Sequence, residues 1–256
     1  MIICRSAAEL EQMREAGRLV GEVLTELAAA VAPGVSTADL DALAEKRIRQ
    51  AGATPAFKGY HGYPATICAS INEEVIHGIP SGRRVLNEGD ILSIDVGVSL
   101  NGYFGDSAIT VPVGQVSEQA GALLRATEES LYKAIERVRP GGRISDIGHA
   151  VQQHVEANGF SVVREFVGHG IGQRMHEEPQ VPNYGEPGRG PRLAEGMVIA
   201  IEPMVNAGKA AVKVLADGWT AVTKDGSLSA HFEHTVAVTA DGPWVLTARE
   251  VPVPAR

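Results

Sequence analysis

Two copies of one sequence pattern occur in this chain, separated by a constant offset of 107 residues. In the first copy an apolar run after Glu88-Gly leads to Asp95, and in the second a similar run after Glu195-Gly leads to Glu202. Further pairs at the same offset are Gly34 and Gly141, Asp39 and Asp146, and Gly52 and Gly159. A fixed period of this kind indicates one supersecondary unit used twice. The sequence therefore predicts two half-units around one core, each with an acidic residue on an apolar strand.

Each copy combines helix and strand patterns in the same order. Apolar residues at three- and four-residue spacing predict helices over 6–30 and 37–51, and then over 117–138 and about 145–157, with Ser145 as the last N-cap. Apolar runs bounded by turn residues such as Gly102 and Gly218 predict strands at 64–70, 74–77, 91–98 and 103–111, followed by 161–167, 197–206, 211–215 and 231–239.

These elements predict an α+β fold in which each helix pair packs on antiparallel strands. We expect one catalytic domain over 1–256, made of half-repeats at about 6–112 and 113–250. The proline-containing end, 251–256, is predicted to be a disordered tail.

Composition argues against several classes of function. A formal net charge of −8 disfavours a nucleic-acid or acidic-membrane partner, which would require a basic surface. The two cysteines, Cys4 and Cys68, are too few for a disulfide framework and fit a reducing compartment. No apolar run approaches the roughly 18 residues of a membrane span. We therefore expect a cytoplasmic protein.

Four carboxylates and one histidine lie on or beside predicted strands. Asp95 and Asp106 fall on consecutive strands whose connecting turn would bring them face to face, and Glu202 and Glu233 take similar places in the second copy. His169 lies between glycines, where the backbone can approach a bound group. Carboxylates this close cannot all stay ionised without cations, and two divalent ions would balance four charges. Oxygen-rich ligands suit Mn, Fe and Co as well as Zn.

Taken singly, each of these residues also fits an ordinary structural role. A lone strand-end aspartate is usually a cap or a surface residue, and His169 could be a turn histidine. His77 and His176 are equally ambiguous, while His149 and His154 are predicted on helix surfaces. The functional prediction therefore depends on the whole set rather than on any one residue.

In addition, the chain resembles the type I methionine aminopeptidases of bacteria over about residues 2–250. The matching motifs are Gly59-Tyr-His-Gly-Tyr-Pro64, Asn72-Glu-Glu-Val-Ile-His-Gly-Ile-Pro80, Asp95 with Asp106, Gly168-His-Gly-Ile-Gly172, His176-Glu-Glu-Pro179, Ile201-Glu-Pro203 and Phe232-Glu-His-Thr235. The resemblance implies the pita-bread fold, a curved central sheet with pseudo-two-fold symmetry, which agrees with the repeat. It also implies a monomeric hydrolase that removes the initiator methionine from nascent polypeptide N-termini when the second residue is small, with the ribosome as a partner.

The same resemblance assigns metal ligands and catalytic groups. By it, Asp95 binds one of two divalent ions (Co, Mn, Fe or Zn), Asp106 and Glu233 bridge both, and His169 and Glu202 complete the other. Glu202 would also be the general base. The resemblance further implies that two histidines contact the peptide and stabilise its intermediate, namely His77 and His176.

The resemblance also implies a methionine side-chain pocket and a monovalent cation site. The pocket would be lined by Tyr60, Tyr63, Cys68, Met175 and Trp219, and the cation would be held by the backbone carbonyls of Asn72, Glu74 and Ser229. Two positions differ from the family's usual residues. Met175 replaces a frequent aromatic, which predicts a more adaptable wall, and His231 replaces a frequent Gln, two residues from Glu233 on the same face.

Two alternatives remain at this stage. The first is an X-Pro aminopeptidase or prolidase-like pita-bread enzyme, which usually has an additional N-terminal domain that 256 residues do not accommodate. The second is a non-catalytic pita-bread binding module, which would have lost metal ligands. Because all five ligands are present, we favour the methionine aminopeptidase function.

Overall fold

The computed structural model of the chain describes residues 1–249, so the predicted tail lies outside the described residues. Within that range four α-helices are present: α1 Ala7–Ala30, α2 Thr37–Gln50, α3 Glu118–Ile135 and α4 Ile144–Ala157. The strands of the same range are β1 Thr54–Pro55, β2 Ile67–Ile71, β3 Glu74–Ile76, β4 Ile91–Leu100, β5 Tyr103–Pro112, β6 Ser161–Val162, β7 Gly168–Gly170, β8 Glu177–Val181, β9 Val198–Ile201, β10 Met204–Asn206, β11 Val212–Val214, β12 Ala221–Thr223, β13 Ser229–His231, β14 His234–Thr239 and β15 Gly242–Val245. A short 3₁₀ turn covers Tyr60–Gly62.

The 107-residue repeat appears directly in the helix pairs. Both ends of α4 lie 107 residues after the corresponding ends of α2. Gly34 and Gly141 precede these helices with φ values of 90° and 86°, and Gly52 and Gly159 follow them with 75° and 79°. Residues with a Cβ rarely adopt such φ values. Glycine therefore occupies matching positions before and after the corresponding helix in both halves.

The helix caps follow the repeat more closely than predicted. Ser36 begins α2 through a reciprocal pair of hydrogen bonds with Asp39. The predicted cap at Ser145 is wrong, because α4 begins one residue earlier and its N-cap is Arg143, the repeat counterpart of Ser36. Arg143 has no side-chain acceptor, so only the return bond from its amide to Asp146 is formed, at 2.9 Å. Ser145 instead exchanges hydrogen bonds with the backbone of Arg189.

Antiparallel pairing organises the described strands into four sheets, which confirms the predicted α+β class. One sheet contains β1, β2, β4 and β5, built on the ten-residue hairpin of β4 and β5. A five-stranded sheet has the order β15-β14-β9-β7-β8. Two smaller sheets have the orders β13-β10-β6 and β11-β12-β3. Gly102 and Gly218 form turns between paired strands, as predicted.

Two predicted strands of the second half are each interrupted at an acidic residue. The predicted strand 197–206 divides into β9 and β10 at Glu202-Pro203, and 231–239 divides into β13 and β14 at Phe232-Glu233. The two breaks face each other, since Ile201 pairs with His234 and Met204 pairs with His231. Pro203 has no amide hydrogen to give to a ladder, so pairing stops there. The interruption leaves both glutamates facing the interior.

Threonine hydroxyls join the two halves along a seam between β5 and residues 229–239. The Thr110 hydroxyl donates to the His231 carbonyl and accepts from the His231 amide, both at 2.8 Å. The Thr235 hydroxyl makes the same pair of bonds to the carbonyl and amide of Asp106, at 2.8 and 3.2 Å. Between them, the Glu233 amide donates to the Ala108 carbonyl at 2.9 Å. The seam therefore fixes Asp106 and Glu233 relative to each other.

One apolar cluster contains buried residues from all four helices and from strands of both halves. It covers the outer side of the strands, so the polar seam and its acids lie on the inner side. The assignment of the chain to a single domain stays a prediction. Among the described helices, none combines the length and apolar character needed to cross a membrane.

Strand prediction was least accurate outside the main hairpins. The predicted strand 161–167 is reduced to β6, because Arg164 and Glu165 turn outward to solvent. The strands β1, β7, β8, β12 and β15 were not predicted. Most are two to five residues long and follow no clear apolar alternation, which leaves little periodic signal.

We predict that Thr110→Val lowers the free energy of unfolding by about 2 kcal/mol, because it leaves the buried amide and carbonyl of His231 without partners. Denaturant unfolding in the presence of a chelator measures this change. Thr54→Val, at an exposed position of β1, is the control and should change stability by less than about 0.5 kcal/mol. Equal effects at both positions would contradict the role of the seam.

Candidate metal and peptide site

Two aspartates enter the site from the β4–β5 hairpin. The register pairs Asp95 with Ala108 and Gly97 with Asp106, so the two acids are diagonal neighbours rather than direct partners. The prediction that they meet face to face is therefore wrong in register, although both side chains lie on the same face of the hairpin. The turn at 101–102 sets this two-residue stagger.

The two glutamates come from the breaks opposite this hairpin. Glu233 lies in the seam, and its carbonyl accepts a hydrogen bond from the Ser107 hydroxyl. The Glu202 carbonyl is held by the side-chain amide of Asn183 at 2.9 Å. Both backbones are thus anchored by bonds that leave the carboxylates free to point into the cavity.

His169 completes the group from the short strand β7. Its Nδ1 donates to the Gly170 carbonyl at 2.9 Å, which leaves the lone pair on Nε2. That Nε2 lies 3.6 Å from Glu202 Oε1 and 3.8 Å from Asp106 Oδ2. Ligand atoms of Asp106, His169 and Glu233 all lie within 4.8 Å of one another. A histidine oriented in this way presents one nitrogen to a metal ion.

Burial and mutual repulsion shift the acids strongly toward their neutral forms. Burial raises the pKa of Asp95 to about 7. Burial, followed by the charges of Glu233 and Asp95, holds the pKa of Asp106 well above its usual range. The pKa of Glu202 and that of Glu233 are raised for the same two reasons, burial first and neighbouring carboxylates second. In contrast, burial lowers the pKa of His169 to about 4, so its imidazole is neutral near pH 7.

The side chains present fit divalent cations. Asp95 Oδ1, Asp106 Oδ1 and Glu233 Oε1 are buried without any hydrogen-bond partner among the described residues. Buried polar atoms normally have partners, and acceptor atoms converging with an imidazole nitrogen are the ligands that Mn, Fe, Co and Zn accept. Metal binding would neutralise the charges that the protein itself leaves unbalanced.

Two further histidines, His77 and His176, line the same cavity. His176 is exposed and its Nδ1 is 2.8 Å from the Tyr60 hydroxyl, while its ring centre lies 4.2 Å from that of His169. His77 has a positive φ of 60° and its ring lies edge-on to Trp219. Burial lowers the pKa of His77 to about 4. Both line the cavity that contains the acids.

An apolar wall borders the acids. The cavity has a volume of about 140 Å³, and all twelve residues predicted as ligands, catalytic groups or pocket residues line it. Cys68 lies opposite Asp95 on β2, and burial keeps its thiol protonated by raising its pKa. The Tyr63 hydroxyl donates to the carbonyls of Ile67 and Gly78, so this ring serves as a fixed wall. Met175 packs against the same group.

Sequence reasoning missed two lining residues, Phe57 and His61. Phe57 carries no motif signal, because it is one apolar residue before a glycine turn. His61 was noted but given no role, although it is the central residue of the Tyr-His-Gly turn and has a positive φ of 47°. Such a conformation at a histidine is uncommon, but it is visible only in the structure, and the one sequence signal is the place of His61 inside the Gly59–Pro64 motif.

Residues predicted for a monovalent cation are partly brought together. The Ser229 amide donates to the Asn72 carbonyl at 2.8 Å, and Asn72 has a positive φ of 55°. Glu74 follows two residues later on β3, with its carboxylate bonded to the Ile71 amide and paired with Arg84. The structure therefore brings Asn72 and Ser229 into contact, while the cation itself stays a prediction.

His231 lies beside the general-base candidate rather than beside Glu233. Its Nε2 is 3.8 Å from Glu202 Oε2, is buried, and has no hydrogen-bond partner among the described residues. Burial, with His77 as a lesser cause, lowers the pKa of His231 to about 3. This position is occupied by a neutral imidazole in contact range of one carboxylate.

Comparison with known proteins agrees with this geometry. Residues 11–240 match the model of metallopeptidase family M24. Methionine aminopeptidase 1 of Bacillus subtilis is 58% identical over 96% of the chain and 99% of its own length. The chain belongs to family M24, within its methionine aminopeptidases. This confirms the resemblance to the methionine aminopeptidases that was inferred from the sequence motifs.

Solved structures support the same placement. Methionine aminopeptidase of Thermotoga maritima has a TM-score of 0.96 and 46% identity, covering 97% of this chain and 100% of that one. The prolidase of Pyrococcus horikoshii has a TM-score of 0.78 and 24% identity, and this chain covers 66% of it. At that identity the prolidase shows the shared pita-bread fold alone. The fold prediction is confirmed, the X-Pro alternative is not favoured, and family M24 implies binding of divalent metal.

The charge cluster predicts how stability of the metal-free protein depends on pH. Carboxyl pKa values raised above their usual value of about 4 mean that the folded state holds protons that the unfolded state has lost. Stability from these groups is therefore lost as pH rises. Below about pH 6.5 the histidines with lowered pKa values oppose this trend, because there the unfolded state binds the extra protons. The window from pH 6.5 to 8 isolates the carboxyl contribution.

We predict that chelated protein loses about 2 kcal/mol of stability between pH 6.5 and 8, from about 1.4 kcal/mol per pH unit for each extra proton. Denaturant titrations at both pH values measure the loss. Asp106→Asn is the control, and it should flatten the dependence because it removes one of the repelling charges. A wild-type protein equally stable at both pH values would contradict the charge cluster.

Proposed function

We propose that this chain removes the N-terminal methionine from peptides in a reaction that requires two divalent metal ions. The main observation in support of this proposal is that a wall of acidic side chains and an apolar wall meet in one cavity. Five proposed metal-ligand side chains form one wall, an apolar wall lies beside it, and the whole cavity of about 140 Å³ has room for about one side chain. Cavities of about 150 Å³ hold benzene-sized apolar groups, so a thioether side chain is a suitable occupant.

The metal ions would be held by Asp95, Asp106, His169, Glu202 and Glu233, with Asp106 and Glu233 between them. When bound, divalent ions polarise a carbonyl group and provide a nucleophilic water at neutral pH. The seam supports the bridging role, because it holds these two acids at a fixed separation through Thr235 and Ala108. Ligand chemistry accepts Co, Mn, Fe or Zn, and cellular availability selects among them.

Glu202 is proposed as the general base, which accepts a proton on one carboxylate oxygen and returns it to the leaving amine. Burial is the largest cause that raises the pKa of Glu202, ahead of the charges of Asp106 and Asp95 that bound metal would neutralise, and a raised pKa suits a carboxylate to proton transfer. Its position in the β9–β10 break leaves the side chain unconstrained by a ladder.

His77 and His176 are proposed to bind the peptide and to stabilise charge on the carbonyl oxygen. Each lines the cavity, and desolvation is the largest cause that lowers the pKa of each below 6.5, more strongly for the half-buried His77 than for the exposed His176, so both imidazoles are neutral near pH 7. A neutral imidazole can donate one hydrogen bond from a fixed position. Hydrogen-bond donors that already point to where charge develops stabilise the transition state more than they stabilise the bound substrate.

Tyr60, Tyr63, Cys68, Met175 and Trp219 are proposed to hold the methionine side chain. The rings of Tyr63 and Trp219 meet edge-on at 5.1 Å, and the sulfur of Met175 adds a polarizable contact. His77 and His176 line the same small cavity, and a peptide held by both would have little room beside its second residue. Steric exclusion of this kind favours Gly, Ala or Ser at that position.

A monovalent cation at Asn72, Glu74 and Ser229 would support the turn before His77. Action as a monomer in the cytoplasm, on nascent chains at the ribosome, stays a prediction. The adaptable wall at Met175 stays a prediction as well.

The direct test is peptide hydrolysis with purified chain reconstituted with Mn²⁺ or Co²⁺. Met-Ala-Ser should lose its N-terminal residue at least tenfold faster, as kcat/KM, than Met-Leu-Ser or Leu-Ala-Ser, and a chelator should abolish hydrolysis. Mass spectrometry of the products measures the cleavage of all three peptides in one mixture. Preferred cleavage of an X-Pro peptide would support the prolidase-like alternative. Bound metal without any hydrolysis would support the binding module.

We predict that His176→Ala lowers kcat about 100-fold and leaves metal content unchanged, because His176 is read as a peptide contact. Asp106→Asn is the matched comparison, and it should lose bound metal because a proposed bridging carboxylate is removed. Metal analysis of both variants after dialysis, alongside kcat, separates the roles. Loss of metal from His176→Ala would place His176 among the ligands instead.

A further inference from the structure

We infer that Arg5 is a positioning residue for the peptide site, acting through Glu177 on the loop that carries His176. The inference rests on the proposed function, in which His176 contacts the peptide. Arg5 precedes α1, and Glu177 begins β8, 172 residues later in the chain. No motif contains Arg5.

The contact is a buried ion pair. Arg5 Nη2 lies 2.7 Å from each carboxylate oxygen of Glu177, and the two side chains are only 4% and 5% exposed. Among the ion pairs between described residues, no other has both side chains exposed by 5% or less, and His169 with Asp106 comes nearest at 10% and 6%. Breaking such a pair from one side leaves an uncompensated buried charge, so the arrangement is held strongly.

The backbone around the pair is shaped to admit Arg5. The Arg5 amide donates to the Gly196 carbonyl at 2.7 Å, and a Cβ on Gly196 would lie 2.4 Å from the Arg5 carbonyl oxygen. A Cβ on Gly172 would lie 2.1 Å from Arg5 Nη2. Side chains at either glycine would therefore displace the arginine.

Glu177 transmits the contact to the loop between β7 and β8. Its Oε1 also accepts from the Arg174 amide at 3.1 Å, which closes residues 174–177 into a turn. Met175 and His176 lie inside that turn. Met175 has independent support, because it packs against Phe57, Tyr63, Ala65 and Cys68.

His176 has much less support of its own. It is exposed, its one side-chain hydrogen bond joins it to the Tyr60 hydroxyl, and its ring stacks on that of Tyr60 and lies 4.2 Å from that of His169. Tyr60 belongs to the 3₁₀ turn whose central residue has a positive φ, so both partners stand on loops. Loss of the Arg5–Glu177 pair should therefore release His176 while leaving the methionine pocket in place.

The test removes both charges at once, in the double variant Arg5→Met/Glu177→Gln of the metal-loaded enzyme. Removing both partners avoids an unpaired buried charge, so the protein should fold and keep its metal. We expect kcat on Met-Ala-Ser to fall about 10- to 100-fold, with KM changed less than threefold, since small misplacements of a contacting group have effects of this size. Arg5→Lys, which keeps the charge, should retain at least a third of wild-type kcat.

A second readout needs no turnover. Amide hydrogen exchange in residues 172–176 should be at least tenfold faster in the double variant, because the Arg174 amide loses its charged acceptor. The control is Arg18→Met/Glu22→Gln, an exposed pair on α1, which should change neither kcat nor this exchange.

Several results would overturn the inference. Wild-type kcat in the double variant would do so, and so would a parallel loss of kcat, metal and thermal stability, which indicates a purely structural pair. Failure of Arg5→Lys to rescue would also count against it. An inactive wild-type enzyme would instead reject the proposed function, and the exchange measurement would still decide whether Arg5 holds the loop.

Discussion

The main physical constraint on this structure is the repulsion among four carboxylates around one small cavity. Asp95, Asp106, Glu202 and Glu233 have few internal partners for their oxygens, and burial and mutual charge shift them toward protonation. Apolar packing does not explain why these acids lie together, since the apolar cluster does not include them and their burial is costly. Cations resolve the repulsion and at the same time supply the chemistry of a metallopeptidase.

The scaffold meets this constraint by rigid placement. Duplication gives each half one acid on a strand, and the threonine seam locks the halves so that Asp106 and Glu233 stay adjacent. The proposed peptide contacts are placed differently, and His77, for example, has an unusual backbone conformation with a positive φ. The proposed metal ligands therefore lie on strands and their breaks, whereas the two histidines proposed to contact the peptide lie just outside strands.

Much of the fold could be predicted from the sequence, because apolar periodicity is a local signal and the two copies of the repeat can be compared directly. The bounds of α2 and the identities of the acids depend only on residues near them. The diagonal register of Asp95 and Asp106 depends on turn geometry, and the breaks at Glu202 and Glu233 depend on pairing between strands that are distant in sequence. The contact between Arg5 and Glu177 spans 172 residues and leaves no periodic trace.

Proton release on metal binding tests the central claim most directly. Calorimetric titration of chelator-treated protein with Mn²⁺ at pH 7, in buffers of different ionisation enthalpy, counts the protons displaced. If buried carboxyls share protons in place of cations, at least one proton should leave each chain as the site fills. Binding with no proton release would mean that the acids are already ionised without metal, and that their repulsion is not what the metal ions relieve.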